Sequence, residues 1–269
     1  MEVHMQREEE TYKERCLCVV LLDLIGSTQF VERFGAYDAA RWFQYHDRRA
    51  RTLIQRFNGR EIDRSDGFLI SFNRPIDAVN FGLYYQMTVP QLTKLNARIG
   101  IHWGPVVEVT QRELDVVVGA KPVELEGLTK NIAARTMSIC MAGQVLLTRD
   151  AFALVRSRSN SMTPKDTRFS CVGLYKFKGV RDLQTLYAVG CDIKVLQPPP
   201  GNAKVTRVGG PKRIRSRAKH RKWFEWAEWV LYRLALISFG YIVAHMYPYL
   251  KYKFSPLINR LMEIYEHYR

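Results

Sequence analysis

Residues 16–28 are CLCVVLLDLIGST, and this stretch predicts how the chain is organised. Residues 16–22 are almost all apolar and rich in branched side chains, which is typical of a buried β-strand. Asp23 ends the strand, and Gly26, Ser27 and Thr28 lead into a stretch with the apolar spacing of a helix. A carboxylate beside the amino end of a helix suits a phosphate with a bound divalent cation. The structural alternative is that Ser27 or Thr28 caps the helix and Asp23 lies in a turn.

A second aspartate lies in a predicted hairpin. Residues 59–64 and 68–72 resemble strands and flank Ser65-Asp66-Gly67, a tight-turn sequence. The intervening helix and hairpin allow Asp23 and Asp66 to lie side by side. Adjacent carboxylates repel each other unless positive charge lies between them, and two metal ions would supply that charge. The alternative is an Asp-Gly turn selected only for its positive φ.

Strands and helices alternate through the rest of the first 192 residues. Spacing predicts helices over 75–86 and 130–139, and strands over 97–102, 106–109, 144–147, 175–180 and 185–189. In the second of these helices Asn131 and Arg135 are four residues apart and share a face. Lys178 precedes a glycine near the end of a predicted strand.

Composition narrows the class of protein. The 269 residues are 47% hydrophobic and 25% charged, which excludes a disordered chain, a collagen-like repeat and a polytopic membrane protein. Five scattered cysteines without a C-x-x-C pair argue against a disulfide framework or a zinc site. The first twenty residues are highly charged and lack the apolar core of a signal peptide, so we expect a cytoplasmic protein.

The net charge of +15 is concentrated in one segment. Ten Lys or Arg and no acidic residue lie between Lys194 and Lys222, leaving 31 basic against 26 acidic residues elsewhere, so nucleic acid is not an expected partner. Pro and Gly clusters in that run indicate a linker. The predicted organisation is a charged segment at 1–14, a catalytic domain at 15–192, a basic linker at 193–222 and a helical apolar tail at 223–269.

The tail has two interpretations. Residues 229–250 are long enough to cross a bilayer as a helix and are flanked by tryptophans and tyrosines, like an interfacial aromatic belt. This predicts attachment of a cytoplasmic domain to the inner membrane. The alternative is an amphipathic helical pair that packs on the protein, because Arg233 and His245 lie within the stretch.

Six ordered motifs together resemble the class III nucleotidyl cyclase catalytic domain. They are LLDLIGST, SDGFLISF, RIGIHWGPV, NIAAR, GQVLLT and YKFKGV followed by LQTLYAV, across residues 15–190. The resemblance implies an α/β (α+β) ferredoxin-like sandwich that works as a homodimer, with active sites at the interface and a nucleoside triphosphate as substrate. It also implies two Mn²⁺ or Mg²⁺ ions per site.

The resemblance carries over roles residue by residue. Asp23 and Asp66 match the two metal-binding aspartates, and Leu24 matches a position whose backbone carbonyl contacts a metal. Asn131 and Arg135 match the pair that orients the ribose and stabilises the transition state. The triphosphate-binding lysine of the family corresponds to Lys178.

The base-binding positions depart from the adenylate and guanylate cyclase patterns. The adenine-binding lysine is replaced by Asp63 when counted from the preceding glycine, or by Ile62 when counted back from the hairpin aspartate. Its partner position, seven residues before the asparagine, is Glu124. The hairpin resembles that of the pyrimidine cyclases of the bacterial anti-phage system called Pycsar. This implies cyclic UMP, or cyclic CMP, as product, with Arg60 or Arg64 donating to a base carbonyl if it faces inward.

Three alternatives stay open at this point. In the first alternative, Asp63 and the two arginines are ordinary exposed residues of a strand and do not bind a base. In another the chain is a conventional adenylate cyclase with atypical base contacts. In the last it is a non-catalytic nucleotide-binding module tethered to a membrane.

Overall fold

The computed structural model of the protein describes residues 11–65, 67–156, 163–210, 254–257 and 259–267. The chain divides into two units, residues 1–213 and 214–269. Residues 254–257 and 259–267 of the second unit are helical. The predicted membrane segment, residues 229–250, lies outside the described residues. In the described ranges no helix has the length and apolar character needed to cross a membrane.

The first unit is built around a mixed β-sheet. Its strands are β1 (Thr11–Leu24), β2 (Gly59–Arg64), β3 (Gly67–Phe72), β4 (Ala97–Thr110), β5 (Val123–Glu126), β6 (Val145–Thr148), β7 (Arg168–Phe177), β8 (Gln184–Gly190) and β9 (Val205–Gly209). Their spatial order is β2-β3-β1-β4-β6-β8-β7-β9, and β5 pairs with β4 outside this path. All described pairings are antiparallel except β4 with β6.

Helices cover both faces of the sheet. They are α1 (Ser27–Phe34), α2 (Ala36–Arg56), α3 (Pro75–Thr93), α4 (Glu113–Val117), α5 (Leu128–Ser138) and α6 (Arg149–Arg156). Successive residues of a strand face opposite sides of the sheet, so β1 contributes to two cores. Its even-numbered residues from Cys18 to Leu24 pack with α2, α3 and α6. Leu17 and Val19 pack on the other face with residues of β4, β5 and α5.

This architecture confirms the predicted α+β sandwich. An unbroken apolar run predicted the central strand, and the tight-turn sequence predicted β2 and β3, although no residue of β2 is buried. Asp23 lies where predicted, one residue from the end of the central strand, and a helix follows it.

Several element boundaries differ: the strand predicted over 175–180 is β7, which ends at Phe177, and the helix predicted over 75–86 continues to Thr93. Two further stretches are organised differently. The helical stretch after residue 28 is two helices, because Gly35 adopts φ 78° and ψ 159° and interrupts the backbone hydrogen-bond pattern. The two strands predicted over 97–109 are one continuous strand, β4. Strand β4 contains Pro105, which has no backbone N–H and therefore cannot donate to the neighbouring strand, but its carbonyl can still accept.

Strand β9 lies within the segment predicted as a linker. It pairs with β7, and Lys204 accepts a backbone hydrogen bond from Lys178 at 2.8 Å. Part of the basic run is therefore an edge strand of the sheet. This strand was not predicted, because the surrounding run contains Pro and Gly clusters and many charged residues. Edge strands commonly carry such charge. The short elements α4, β5 and α6 were also not predicted.

Candidate functional site

A cleft of about 500 Å³ opens at one edge of the sheet, on the face that α5 covers. The end of β1, the β2–β3 hairpin, β5, the segment before β5 and α5 line it. The lining of the cleft contains both charged side chains and apolar residues of the strands. The predicted residues Asp23, Ile62, Asp63 and Glu124 all belong to the lining.

Asp23 is placed by the pairing of three strands. The residues opposite Asp23 on the two adjacent strands are Gly67 of β3 and Arg98 of β4. The Nε and Nη2 groups of Arg98 donate to the Oδ2 atom of Asp23 at 2.8 and 2.6 Å. A Cβ atom at residue 67 would overlap the carbonyl oxygen of Leu22, so glycine is required for β3 to approach β1 here. Asp66, directly before this glycine in the sequence, lies outside the described residues.

The turn after β1 starts α1 without a capping side chain. Leu24 is buried, and Gly26 adopts the left-handed conformation with φ 76° directly before the helix. No side-chain cap bond forms at this N-terminus, so capping by Ser27 or Thr28 is not observed. Gly26 lines a neighbouring hollow, with Lys94 and Asn96. In the described structure the hydroxyls of Ser27 and Thr28 are therefore not used for capping.

Asp63 faces the cleft because β2 contains a bulge. The register with β3 shifts between Glu61 and Asp63, which puts Asp63 beside Ile62 on the cleft side. Lys121, just before β5, forms an ion pair with Asp63, with 2.8 Å between Nζ and Oδ1. The hydrogen bond from Lys121 holds the pKa of Asp63 below its usual value, and the Ser65 hydroxyl adds a weaker bond at 3.3 Å. Asp63 is therefore an anionic acceptor.

The arginines proposed to contact the base are both engaged elsewhere. Arg60 donates to Glu108 of β4 at 2.8 Å. Arg64 lies beyond the bulge on the opposite face of β2, where it binds Asp47 of α2 at 3.0 Å and the Ser65 carbonyl at 2.6 Å. A contact with the base was expected only if one of these arginines faced inward, and neither belongs to the described lining of the cleft. The bulge turns Arg64 to the opposite face of β2, whereas Arg60 shares the face of Ile62 and is held by its ion pair with Glu108.

The three remaining predicted catalytic residues lie outside the cleft wall. Asn131 and Arg135 are on α5, as predicted, but the α5 residues that line the cleft are Lys130 and Met137. Lys178 is exposed immediately after β7, since that strand ends at residue 177. Asp23, Ile62, Asp63 and Glu124 therefore come together in one chain, whereas these three do not join them.

Two functional candidates were missed by sequence reasoning. Arg98 belongs to a predicted strand, and only the β1–β4 register shows that it lies opposite Asp23. Lys121 lies in a segment without apolar periodicity, so no sequence signal places it near Asp63. Within the ranges that the structure describes, no group of three or more His, Cys, Asp or Glu is arranged to hold a metal ion.

Comparison with protein families and curated proteins gives a match over about half of this chain. No protein-family model matches the chain. The serine/threonine-protein kinase pkn2 of Myxococcus xanthus is 29% identical over 157 residues, or 55% of this chain, and the chain spans 17% of the length of that relative.

Several solved structures are similar over most of the first unit. The adenylyl cyclase CyaB from P. aeruginosa has a TM-score of 0.58 and 16% identity, covering 66% of this chain and 95% of that one. An adenylate/guanylate cyclase/hydrolase from Silicibacter pomeroyi scores 0.55 at 19% identity, with 68% and 100% covered. The guanylate cyclase domain of RhGC from Catenaria anguillulae scores 0.53 at 19% identity, with 66% and 97% covered. These likenesses show the fold of adenylyl and guanylyl cyclase domains.

Proposed function

We propose that this chain, which has the fold of class III adenylyl and guanylyl cyclases, is a metal-dependent nucleotidyl cyclase. The observation that carries the proposal is the cleft at the end of β1. There Asp23 lies on one wall, and Asp63 and Glu124 lie on others. Intramolecular transfer of a nucleoside phosphate requires acidic groups that hold metal ions, which in turn bind the phosphates. It also requires polar groups that bind the base.

Asp23, the Leu24 carbonyl and Asp66 are the groups that would hold Mn²⁺ or Mg²⁺, two ions per site. The described part fits such hard cations, because Asp23 is an oxygen donor with its side chain 22% exposed. Arg98 occupies only its Oδ2 atom through the two bonds described above. When bound, the ions supply Lewis acidity to the ribose 3′-hydroxyl and the triphosphate.

Asn131, Arg135 and Lys178 would act from a second copy of the chain. Their position outside the cleft wall supports a homodimer, in which each cleft is completed by α5 and the segment after β7 of the partner. There Asn131 would orient the ribose, while Arg135 and Lys178 would neutralise charge that develops on the phosphates and the leaving pyrophosphate. Each residue then binds or orients, and no covalent nucleophile is needed.

For the base we propose uracil, with cytosine second. Asp63 and Glu124 accept hydrogen bonds, and uracil offers its N3–H between two carbonyls. Ile62 packs beside them and supplies an apolar contact. The product would be a cyclic pyrimidine nucleotide and pyrophosphate, serving as a second messenger in anti-phage defence. The alternative function is an adenylate cyclase, because the Lys121 ammonium group gives the cleft a donor from which adenine N1 would accept.

The test is product identification by mass spectrometry after incubation of the purified chain with Mn²⁺ and all four triphosphates. We expect cyclic UMP from the wild type. Asp23→Asn should lower the yield more than about 100-fold, since the charge of a metal ligand is lost. Asp38→Asn is the matched control, because Asp38 is an exposed acid of α2 that pairs with Arg41. Cyclic AMP as the main product would overturn the pyrimidine assignment, and the absence of any cyclic product would overturn the cyclase.

A further inference from the structure

We propose that Lys121 is a base-binding residue, whose ammonium group is held in the cleft by Asp63 and donates to an acceptor on the nucleobase. The inference rests on the proposed cyclase function and adds a specificity-determining residue to its site. Neither the adenylate nor the guanylate pattern assigns a role to this position. The geometry on which it stands is the contact between the two opposite walls of the cleft.

Lys121 is held at the mouth of the cleft by the backbone around it. The Ala120 amide donates to the Asp115 carbonyl at 2.8 Å, and the Gln111 amide donates to the Pro122 carbonyl at 3.1 Å. These bonds close the segment between β4 and β5 on both sides of Lys121. From there its side chain reaches β2, where Nζ lies 2.8 Å from Asp63 Oδ1.

This ion pair is too exposed to serve chiefly as a structural clamp. Its side chains are 47% and 24% exposed, and such pairs contribute little to folding. Both groups keep unused hydrogen-bonding capacity, since an ammonium group has three donors and a carboxylate has about four acceptor sites. Ser65 uses one site on Asp63, at Oδ2. The pair therefore presents a donor next to an acceptor within one cleft.

A donor beside an acceptor matches the edge of a nucleobase. With uracil, N3–H donates to Asp63 while the neighbouring carbonyl accepts from Lys121. With cytosine, the N4 amine donates to Asp63 while N3 accepts from Lys121. In both cases Lys121 contributes to binding of the base and has no role at the triphosphate. This separation of base from phosphate is what an experiment can measure.

The experiment compares wild type, Lys121→Met and Lys121→Arg in steady-state cyclisation of UTP, CTP and ATP. Loss of a hydrogen bond from a charged donor should raise KM for the preferred triphosphate at least about 10-fold, with kcat within about threefold. Inhibition by inorganic tripolyphosphate, which has no base, should keep its Ki. Lys121→Arg keeps the charge and the donors and should recover most of the affinity. Arg74→Met, which breaks an ion pair with Asp77 of α3 outside the segment that holds Lys121, is the matched control.

Two results would overturn the inference. One is an unchanged KM in Lys121→Met. The other is a rise in the tripolyphosphate Ki equal to the rise in KM, which would show that Lys121 binds the phosphates and not the base. If the wild type cyclises no triphosphate, the proposed function itself fails. Calorimetric binding of UTP, CTP and ATP then decides this inference separately: selective loss of one nucleotide in Lys121→Met supports it, and equal binding contradicts it.

Discussion

Arg98 joins the central strand of the sheet to the end of α5 through one guanidinium group. Its Nε and Nη2 atoms donate to Asp23 Oδ2, and Nη1 donates to the Ser138 carbonyl at 3.3 Å. The Arg98 and Asp23 side chains are 32% and 22% exposed, so the contact lies at the edge of the cleft and not in the core. Arg98 thus orients the carboxylate that we assign to the metal and ties it to the last turn of the helix that carries Asn131.

Replacement of Arg98 should weaken metal binding. In Arg98→Met the Asp23 carboxylate loses its two donors and can rotate, and loss of such supporting contacts typically costs 10–100-fold in metal affinity. Electron paramagnetic resonance titration with Mn²⁺ measures this directly, without turnover. Arg74→Met is the control, since Arg74 pairs with Asp77 in α3. Unchanged Mn²⁺ affinity would show that Arg98 does not position Asp23.

A buried polar chain supports the opposite face of the β2–β3 hairpin. His46 is completely buried and contacts Asp47 at 2.8 Å and the Tyr85 hydroxyl at 2.5 Å. Asp47 accepts from Arg64 as well, and Arg64 binds the Ser65 carbonyl. Burial raises the pKa of Asp47, but the His46 bond and the Arg64 charge together outweigh it and leave the pKa below its usual value. Asp47 is thus the anionic centre of this network.

Removal of that centre should cost much more than trimming its edge. Asp47→Ala leaves His46 and Arg64 without their acceptor, and breaking a buried pair in this way costs about 3–5 kcal/mol. Tyr85→Phe removes one hydroxyl and should cost about 1 kcal/mol. Urea unfolding followed by circular dichroism gives both free energies of unfolding. Equal losses in the two variants would contradict the central role of Asp47.

His102 should make stability depend on pH. Burial lowers its pKa to about 4, against an ordinary value of 6.5, while Asp150 opposes the shift, and Nδ1 contacts the Thr148 hydroxyl at 2.7 Å. Between these pH values the unfolded chain binds a proton that the folded chain does not. The free energy of unfolding should therefore fall by about 3 kcal/mol from this group as pH drops from 7 to 4. Urea unfolding of His102→Gln across that range should show a flatter profile, and an identical slope would exclude His102 as the source.

Gly100 sets the distance between β4 and α5. A Cβ atom there would overlap the backbone nitrogen of Met137 and lie 2.7 Å from the Ala133 carbonyl oxygen. Gly100→Ala should push α5 off the sheet, destabilise the fold by about 1–3 kcal/mol and lower kcat through Asn131 and Arg135. Thermal unfolding and cyclase assays check both effects. Gly209→Ala is the control, because a Cβ there meets no heavy atom within 4 Å. Equal behaviour of the two variants would refute the close-packing argument.

Much of the fold is predictable from local pattern. Apolar runs and helical spacing depend on residues a few positions apart, so the central strand and the helix after it follow from local pattern. The α+β sandwich was expected from the resemblance of six ordered motifs. Strand β9 was not predicted, because it has only five residues and lies within a run rich in basic residues, proline and glycine, and edge strands often carry charge. Gly35 likewise ends a helix through its own φ and ψ angles, which composition does not reveal.

The amino-acid sequence by itself determined that Asp23 ends a buried strand and that Asn131 and Arg135 share a helix, since both follow from periodicity along the chain. Only the tertiary structure decided that Arg98 binds Asp23, that Lys121 reaches Asp63 and that Arg64 turns away to Asp47. Strand register and the β2 bulge control these partners. Both arise from hydrogen bonds between distant segments, and no local pattern encodes them.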